Sequence, residues 1–309
     1  MGNKDLEEAK KAKKDEFYTT YQTIQDEMKY HWNNLKGKTI LCNCNDGLES
    51  NFVKFFRDNF KNLELKKLIH TTYNPEGIAY KYEMTDSNYI TNKLQGDGDY
   101  KSEECLKLLQ EADVVITNIP FSLFRPYFDT LMEYDKKFLV IGSMNASKYK
   151  NVFPYFRDNK VWYGATMRSG DVRFYVPHDY PLRATGCGYE NGIKYIKVKG
   201  VRWFTNLDYP ERYESLLLKE KYKPDKYKTY DNYDAINVDK YKEIPCDYAG
   251  VMGVPITIFD HHNPNQFEIL GASSSWDKFA ETIVTNDGSR DAMIEGKHLY
   301  TRIFIRRKQ

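Results

Sequence analysis

Hydrophobic positions follow two alternating spacings along the first two thirds of the chain. Short apolar runs, typical of buried strands, are separated by stretches in which apolar residues recur every three or four positions, as in amphipathic helices. The first of these helices carries Ile24, Met28 and Trp32 on one face and ends at Gly37. The predicted helices cover residues 17–36, 50–60, 102–111 and 123–134, and the predicted strands cover 38–42, 66–70, 113–117, 137–142, 161–165 and 172–176.

This alternation continues to about residue 207 and predicts one α/β sheet with helices on both faces. Residues 38–60 form a strand, a glycine-containing turn and a helix, the opening unit of a nucleotide-binding sheet. Residues 72–95 are polar and predicted to be irregular, and residues 193–204 are predicted to form a hairpin.

The composition changes after residue 207. Lys, Tyr and Asp dominate residues 211–243, and short predicted strands at 256–259, 267–270 and 299–305 follow between turns. We therefore predict a larger domain at residues 1–207 and a smaller, mainly-β region at residues 208–309.

Charge and composition narrow the picture only slightly. The chain has 309 residues, with 46 basic and 44 acidic side chains, and a net charge of +2 neither predicts nucleic-acid binding nor excludes a local basic face. We expect no signal peptide, no membrane span and a cytoplasmic protein. The sparse cysteines are expected to be free thiols. His261-His262 lacks a third ligand at a set spacing, so no metal is expected.

Candidate chemistry concentrates where predicted strands end. Asn118-Ile119-Pro120-Phe121 follows the strand at 113–117, and ligands of open α/β sheets bind beyond the carboxyl ends of strands. The turn from Asn43 to Ser50 and the segment Gly96-Asp97-Gly98-Asp99 are expected at the same edge. Each segment alone is a weak signal, but their order and spacing together are specific.

The arrangement resembles S-adenosylmethionine-dependent amino-methyltransferases, whose signature is Asp/Asn-Pro-Pro-Tyr/Phe after the fourth strand. Over longer segments the chain is similar to the EcoRI-type family of adenine-specific DNA methyltransferases. The segments that carry this resemblance lie at residues 15–19, 50–52, 96–105, 112–125, 136–142, 202–207 and 252–257. It implies a Rossmann-like methyltransferase sheet with helices on both faces, and a smaller C-terminal, mainly-β recognition region.

The resemblance implies catalytic roles for the four residues after the central strand. An exocyclic amine is a poor nucleophile because its lone pair is delocalised into the ring. The Asn118 side-chain oxygen and the Ile119 carbonyl would accept its two hydrogens, and because a carbonyl acts here, Ile can replace the usual Pro. Pro120 would fix the loop, and Phe121 would stack on the extruded base, worth roughly 1–3 kcal/mol.

The resemblance also implies a cofactor site with two departures from the usual pattern. Its residues would be Phe17, Tyr18 and Thr19 over the methionine end, Asn43, Asn45, Asp46 and Ser50 at the first-strand turn, and Asp97 and Asp99 near the adenine. The usual Gly-x-Gly turn is absent, with only Gly47 present. The acidic residue that would bind the ribose hydroxyls at the end of the second strand is also absent, and His70-Thr71-Thr72-Tyr73 occupy that position.

Double-stranded DNA is the partner that the resemblance implies. The candidate contacts are three arginines after the catalytic strands (Arg168, Arg173 and Arg202) and four lysines interleaved with tyrosines (Lys221, Lys223, Lys226 and Lys228). A solvated linker is an alternative interpretation of the lysine stretch. We expect a monomer without a direct protein partner, and whether a cognate restriction endonuclease completes a restriction-modification system stays open.

Two other functions remain open at this point. Asn-Ile-Pro-Phe is close to the Asn-Ile/Leu-Pro-Tyr motif of ribosomal RNA dimethylases, so the substrate could be an RNA adenine. The missing glycine turn instead favours a non-catalytic nucleic-acid-binding module on the same fold. The segments after residue 207 favour the DNA family over the RNA enzymes, and binding of S-adenosylmethionine would argue against the non-catalytic module.

Overall fold

The structure is a computed structural model that describes residues 17–43, 50–168, 170–180, 186–274, 276–277 and 290–308. Its packing divides the chain into two compact units. The first unit comprises residues 1–146 and 163–209, and the second comprises residues 147–162 and 210–309. Residues 147–162, predicted as part of the larger N-terminal domain, therefore belong to the second unit.

Four helices and twelve strands, with β8 on the boundary between the units, make up the described part of the first unit. The helices are α1 (Tyr21–Leu35), α2 (Asn51–Asp58), α3 (Glu103–Glu111) and α4 (Phe124–Glu133). The strands are β1 (Tyr18–Thr19), β2 (Thr39–Asn43), β3 (Lys67–Thr71), β4 (Tyr80–Met84), β5 (Tyr89–Lys93), β6 (Val114–Asn118), β7 (Lys137–Ser143), β8 (Trp162–Tyr163), β9 (Asp171–Tyr175), β10 (Gly188–Glu190), β11 (Ile193–Lys199) and β12 (Val201–Thr205). The predicted helices and central strands are confirmed to within a few residues, and Ser102 caps α3 by accepting a hydrogen bond from the Cys105 amide. The start of the first predicted helix is wrong, because residues 18–19 form β1 and α1 begins at Tyr21 after the N-cap Thr20.

The large sheet has eight strands in the order β5-β4-β3-β2-β6-β7-β12-β8. Its centre is parallel, because β3 and β6 both pair with β2 in parallel and β7 pairs with β6 in parallel. The carboxyl ends of these four strands therefore lie at one edge of the sheet, and the mixed α/β class is confirmed.

Alternate strand residues pack on opposite faces of this sheet. Ile40 and Ile116 share a core cluster with Met28 of α1 and Phe56 of α2. On the other face, Phe128 of α4 packs against Phe138 of β7 at a ring-centroid distance of 5.8 Å. Burial on both faces explains why these strands are apolar without interruption.

Two strand predictions on the first unit are wrong. Residues 72–95 are not irregular, because β4 and β5 form an antiparallel hairpin beside β3. Every residue of β5 is exposed, so no buried face imposes a hydrophobic alternation there. Residues 193–204 are not a hairpin, because β11 pairs with β9 and β12 with β7. Gly200, at a φ of +69°, turns the chain from one sheet into the other.

A second sheet in the first unit has the order β1-β9-β11-β10, and all of its pairs are antiparallel. Val172 and Phe174 of β9 and Ile196 and Val198 of β11 point into the same core as the large sheet. The intervening residues form the outer face of this sheet.

The described part of the second unit contains α5 and a small sheet ordered β13-β14-β18-β15. Its elements are α5 (Phe153–Arg157), β13 (Ile236–Asn237), β14 (Met252–Val254), β15 (Phe267–Ala272), β16 (Met293–Ile294), β17 (Lys297–His298) and β18 (Ile303–Arg307). The strand predicted at 256–259 is wrong, since Ile256–Asp260 is a 3₁₀ helix. Among the described residues, no helix is long and apolar enough to cross a membrane.

One fully buried carboxylate fixes the loop between β8 and β9. Glu27 of α1 accepts hydrogen bonds from the Ala165 amide at 2.8 Å and from the Thr166 amide and hydroxyl at 2.8 and 2.5 Å. His31 Nε2, also fully buried, lies 3.0 Å from the same carboxylate. A side chain at Gly164 would place its Cβ 2.2 Å from Glu27 Oε1, so only glycine leaves room for this arrangement.

We expect Glu27→Ala to lower the free energy of unfolding by at least about 3 kcal/mol, because three donors of the loop and the fully buried His31 ring lose their partner. Urea denaturation measures the loss. Asp26→Ala on the same helix is the matched control: its carboxylate pairs with Lys29 on the surface, and surface pairs contribute less than about 1 kcal/mol. Equal losses in the two variants would contradict a buried clamp at Glu27.

Candidate functional site

Side chains at the carboxyl ends of β2, β3 and β6 form one hydrogen-bonded network. Thr117 Oγ1 donates to the Asn43 carbonyl, and Asn43 Nδ2 donates to Thr71 Oγ1 at 3.2 Å. The Tyr127 hydroxyl of α4 donates to Asn43 Oδ1 at 2.6 Å. Asn43 therefore ties the three strand ends together. A cofactor contact by its side chain, as predicted, would compete with these bonds.

The Asn118 carboxamide lies beside this network with its two ends in different situations. Its Nδ2 donates to the backbone carbonyl of Phe17 at 2.5 Å. Its Oδ1 is buried and has no hydrogen-bond partner among the described residues. A buried acceptor without a donor costs about 1–3 kcal/mol, so this oxygen is placed for a donor from a ligand.

An aromatic cluster surrounds the Asn118 carboxamide. The ring of Phe17 lies 5.7 Å from Phe121, 5.9 Å from Phe174 and 6.1 Å from Tyr180, measured between centroids. Phe121 is 6% exposed and meets Phe17 edge-on, so its stacking on a base stays a prediction. Ile119 is buried, Pro120 is half-buried, and both keep the loop close to the strand end.

The predicted cofactor residues at 17–19 form β1 and its preceding residue. Asn51 Nδ2 of α2 donates to the Thr19 carbonyl at 2.8 Å, and Thr19 Oγ1 is buried without a partner among the described residues. The register of β1 with β9 puts Tyr18 on the outer face, away from Thr19. Ser50 is buried at the N-terminus of α2, whereas Asn45 and Asp46 lie outside the described residues.

The segment 96–99 packs against the end of β3. Gly98 has a φ of +82°, and a Cβ there would lie 2.0 Å from the Thr72 carbonyl oxygen. Asp97 Oδ1 accepts from the Asp99 amide at 2.9 Å, and Asp99 Oδ1 accepts from the Lys101 amide at 2.8 Å. Each carboxylate uses one oxygen to shape the turn. The structure thus brings both predicted aspartates to the site edge.

Two tyrosines at this edge were missed by the sequence. The Tyr100 ring packs on Tyr127 at a centroid distance of 4.9 Å, and its hydroxyl is buried without a partner among the described residues. Burial, helped by the carboxylates of Asp99 and Asp129, raises the pKa of Tyr100 to about 12. Tyr100 is therefore a neutral donor at pH 7. No periodicity or motif distinguishes these tyrosines from the others in the chain.

His70 stands where the family pattern has an acidic residue. Its ring is 1% exposed and stacks on Tyr82 at 4.3 Å. Burial, helped by the nearby Arg57 guanidinium, lowers the pKa of His70 to about 4, so the imidazole is neutral at pH 7. It stacks in the sheet as a flat, uncharged ring and does not replace the missing carboxylate charge.

The three predicted DNA-binding arginines differ in accessibility. Arg202 is 5% exposed, and its guanidinium donates to the carbonyls of Val201 at 2.8 Å and Arg168 at 3.0 Å. This placement is structural and leaves Arg202 no surface for a phosphate, contrary to the prediction. Arg168 is half-buried and donates to the Tyr209 hydroxyl at 3.3 Å. Arg173 is half-buried on β9.

The four predicted lysines lie in the second unit and split into two pairs. Lys226 forms an ion pair with Glu220 at 2.9 Å, and Lys228 forms one with Glu295 at 2.7 Å. Lys221 and Lys223 are exposed. Half of this predicted basic stretch is therefore neutralised by the protein itself.

His261 and His262, considered as metal ligands, contact other groups of the protein. His262 Nε2 lies 3.0 Å from the Phe267 carbonyl, and burial lowers the pKa of His262 to about 4. His261 stacks on Tyr241 at 4.0 Å. The described residues contain no group of three side chains that could hold a metal ion.

Comparison with known proteins identifies the family. The model for the family described as adenine-specific methyltransferase EcoRI matches residues 5–308. The chain belongs to this family.

Curated relatives resemble the chain over nearly its whole length. The Type II methyltransferase M.EcoRI of Escherichia coli is 42% identical, covering 99% of this chain and 97% of the relative. The Type II methyltransferases M.MgeORF184P of Mycoplasma genitalium and M.MpnI of Mycoplasma pneumoniae are each 38% identical over 97% of this chain, and over 98% and 97% of their own lengths. No solved structure matches. As a member of the family the protein is an adenine-specific methyltransferase, so the strand-end asparagine is the candidate catalytic residue.

We expect Gly98→Ala to weaken binding of the methyl donor at least about tenfold, or 1.4 kcal/mol. The added methyl would meet the Thr72 carbonyl in a backbone conformation that alanine disfavours, so the loop that carries Asp97 and Asp99 must move. Isothermal calorimetry measures the affinity. Gly96→Ala is the matched control, since a Cβ there meets nothing within 4 Å. Equal affinities in the two variants would show that this loop is not part of the cofactor site.

Proposed function

We propose that this protein is a site-specific DNA methyltransferase that methylates the N6 amine of an adenine extruded from duplex DNA, with S-adenosylmethionine as methyl donor. One observation carries the proposal: the Asn118 carboxamide is held by its nitrogen and offers a buried, unpartnered oxygen at the strand end. We interpret the parallel centre of the large sheet as a Rossmann-like methyltransferase sheet. We assign target recognition to the mainly-β second unit.

The site chemistry follows from what an aromatic amine lacks. Its lone pair is shared with the ring, so two acceptors must take its hydrogens and hold the nitrogen toward a tetrahedral geometry. Asn118 Oδ1 supplies one acceptor and the Ile119 carbonyl supplies the other. One preorganised polar group of this kind contributes a factor of about 10²–10³ in rate.

The Phe17 carbonyl decides which end of the Asn118 side chain faces the substrate. Because this carbonyl only accepts hydrogen bonds, it selects the amide nitrogen and turns the oxygen outward. An aspartate could not make the same bond, since its carboxylate would face the carbonyl with a second acceptor. Phe17 directly precedes Tyr18 and Thr19, so a cofactor that binds this segment also steadies the catalytic amide.

The residues at this edge fit the proposed cofactor. Thr19 Oγ1 and Tyr100 OH are buried polar atoms without partners among the described residues, which suits a ligand rich in amino, hydroxyl and ring-nitrogen groups. Asp97 and Asp99 would meet the adenine, and Phe17, Thr19 and Ser50 would surround the methionine end. When bound, S-adenosylmethionine supplies a methyl group activated by its positive sulfur.

The proposed substrate is duplex DNA. The protein would act on it in the cytoplasm as a monomer. A base inside a duplex cannot reach Asn118, so extrusion is required, at a cost of a few kcal/mol. Phosphate contacts must offset this cost. Arg168, Lys221 and Lys223 are the candidates that remain among the predicted cations, since Arg173 pairs with Glu190 as Lys226 and Lys228 pair with their glutamates.

We expect Asn118→Ala to bind S-adenosylmethionine with unchanged affinity and to lose methyl transfer by at least about 10²–10³-fold. Asn118→Asp should lose nearly as much, because the Phe17 carbonyl repels the new oxygen. Single-turnover transfer of labelled methyl groups to duplex DNA measures both. Retained transfer in the alanine variant would remove Asn118 from the mechanism, and full activity in the aspartate variant would remove the role of Phe17.

Expression in a host without DNA methylation tests the whole proposal. We expect modified adenines at one sequence motif, methylated at nearly every genomic copy, because base-edge contacts specify the site. Parallel assays on RNA should show no transfer. A genome without modified adenine, or methylated RNA alone, would overturn the proposal.

A further inference from the structure

Three tyrosines lie side by side on the outer face of the small sheet β1-β9-β11-β10. The register pairs Tyr18 with Tyr175, and Tyr175 with Tyr195, so three tyrosines from neighbouring strands form a row. The residues between them, such as Phe174 and Ile196, point into the core. Tyr18, Tyr175 and Tyr195 are each half-buried, so part of every ring is accessible.

Cations stand beside this row. The next pair of the register places Arg173 opposite Lys197, and the last places Asp171 opposite Lys199. Arg173 lies 4.4 Å above the Tyr195 ring centroid and forms an ion pair with Glu190 at 2.6 Å. Like charges directly opposite each other in a sheet are destabilising, and Glu190 offsets the charge of Arg173 only.

Lys197 and Lys199 differ from Lys226 and Lys228, two of the lysines predicted to contact DNA. Both side chains are exposed, and neither forms an ion pair within the part of the chain that the structure describes. Lys226 and Lys228 in the second unit are each held by a glutamate. The charges of Lys197 and Lys199 are therefore available to an external anion, while those of the other pair are already compensated.

This face also begins next to the catalytic amide. The residue that enters β1 is Phe17, whose carbonyl binds Asn118 Nδ2 at 2.5 Å. The tyrosine row thus starts one residue from the atom that orients Asn118.

We propose that the outer face of this sheet, comprising Tyr18, Tyr175, Tyr195, Lys197 and Lys199, binds the sugar–phosphate backbone of the DNA beside the extruded adenine. Phosphate oxygens only accept hydrogen bonds, and this face offers hydroxyl and ammonium donors to them. The inference rests on the proposed function and assigns the phosphate contacts to the catalytic unit.

The decisive experiment is the salt dependence of DNA binding by the full chain carrying Lys197→Ala and Lys199→Ala. Each lost phosphate contact lowers the slope of log K against log salt by about 0.9, so the slope should fall by nearly 2. Affinity at about 0.15 M salt should fall at least tenfold. The probe is a duplex that contains the methylated motif of the parent protein.

The matched control carries Lys61→Ala and Lys66→Ala. Both lysines are exposed, and Lys66 directly precedes β3, so they lie at the amino edge of the sheet, opposite the site. The control should keep the parent slope. A third variant, Tyr175→Phe, removes one hydroxyl and no charge, so affinity should fall severalfold at an unchanged slope.

Three outcomes separate this inference from the function on which it rests. An unchanged slope in the Lys197/Lys199 variant, with the parent still methylating DNA, overturns the surface and leaves the function standing. Unchanged DNA affinity with slower transfer at saturating DNA also overturns it, since that result indicates a positioning role. A parent that binds and methylates no DNA overturns the proposed function itself.

Discussion

The hydrogen bond from Asn118 to the Phe17 carbonyl is the constraint on which the site depends. It joins residues that are 101 positions apart, the segment before the first helix and the end of the central strand. Because the acceptor is a backbone carbonyl, it fixes the direction of the carboxamide as well as its place. The oxygen then stays buried without a donor, a cost that a bound substrate amine would offset. The proposed cofactor segment and the proposed catalytic residue are thus joined by one hydrogen bond.

Two sets of buried polar groups in the first unit have different roles. Glu27, Asn43 and Arg202 form hydrogen bonds within the protein. Glu27 holds the loop between β8 and β9, Asn43 holds three strand ends, and Arg202 joins β12 to the Arg168 carbonyl. Thr19, Tyr100 and Asn118 each keep an atom without a described partner, and all three lie at one sheet edge. The satisfied groups give rigidity, and we assign the three unpartnered atoms at the sheet edge to a ligand.

Elements that are buried on both faces can be predicted from the sequence, whereas contacts between residues far apart in the chain cannot. The central strands were predictable because both of their faces are covered, while the fully exposed β5 shows no pattern. The separation of β11 from β12 depends on the φ of one glycine and on partners elsewhere in the chain. Asn118 and Asp97 lie in recognisable sequence motifs. Glu27 and Tyr127 lie in no motif, and their roles depend on hydrogen-bond partners that are 139 and 84 positions away. Arg202 was misassigned because residue type does not reveal burial.

The chain enters the second unit twice, and this has an evolutionary consequence. Residues 147–162 leave the first unit after β7 and return before β9, and their α5 packs on later residues, with Phe156 lying 4.8 Å from Phe259. A recombination event with a single crossover after residue 209 would therefore exchange only part of that unit and separate α5 from its packing partners. With target recognition assigned to this unit, as proposed, new specificities are more easily acquired by point changes on a retained scaffold than by recombination of whole units between relatives.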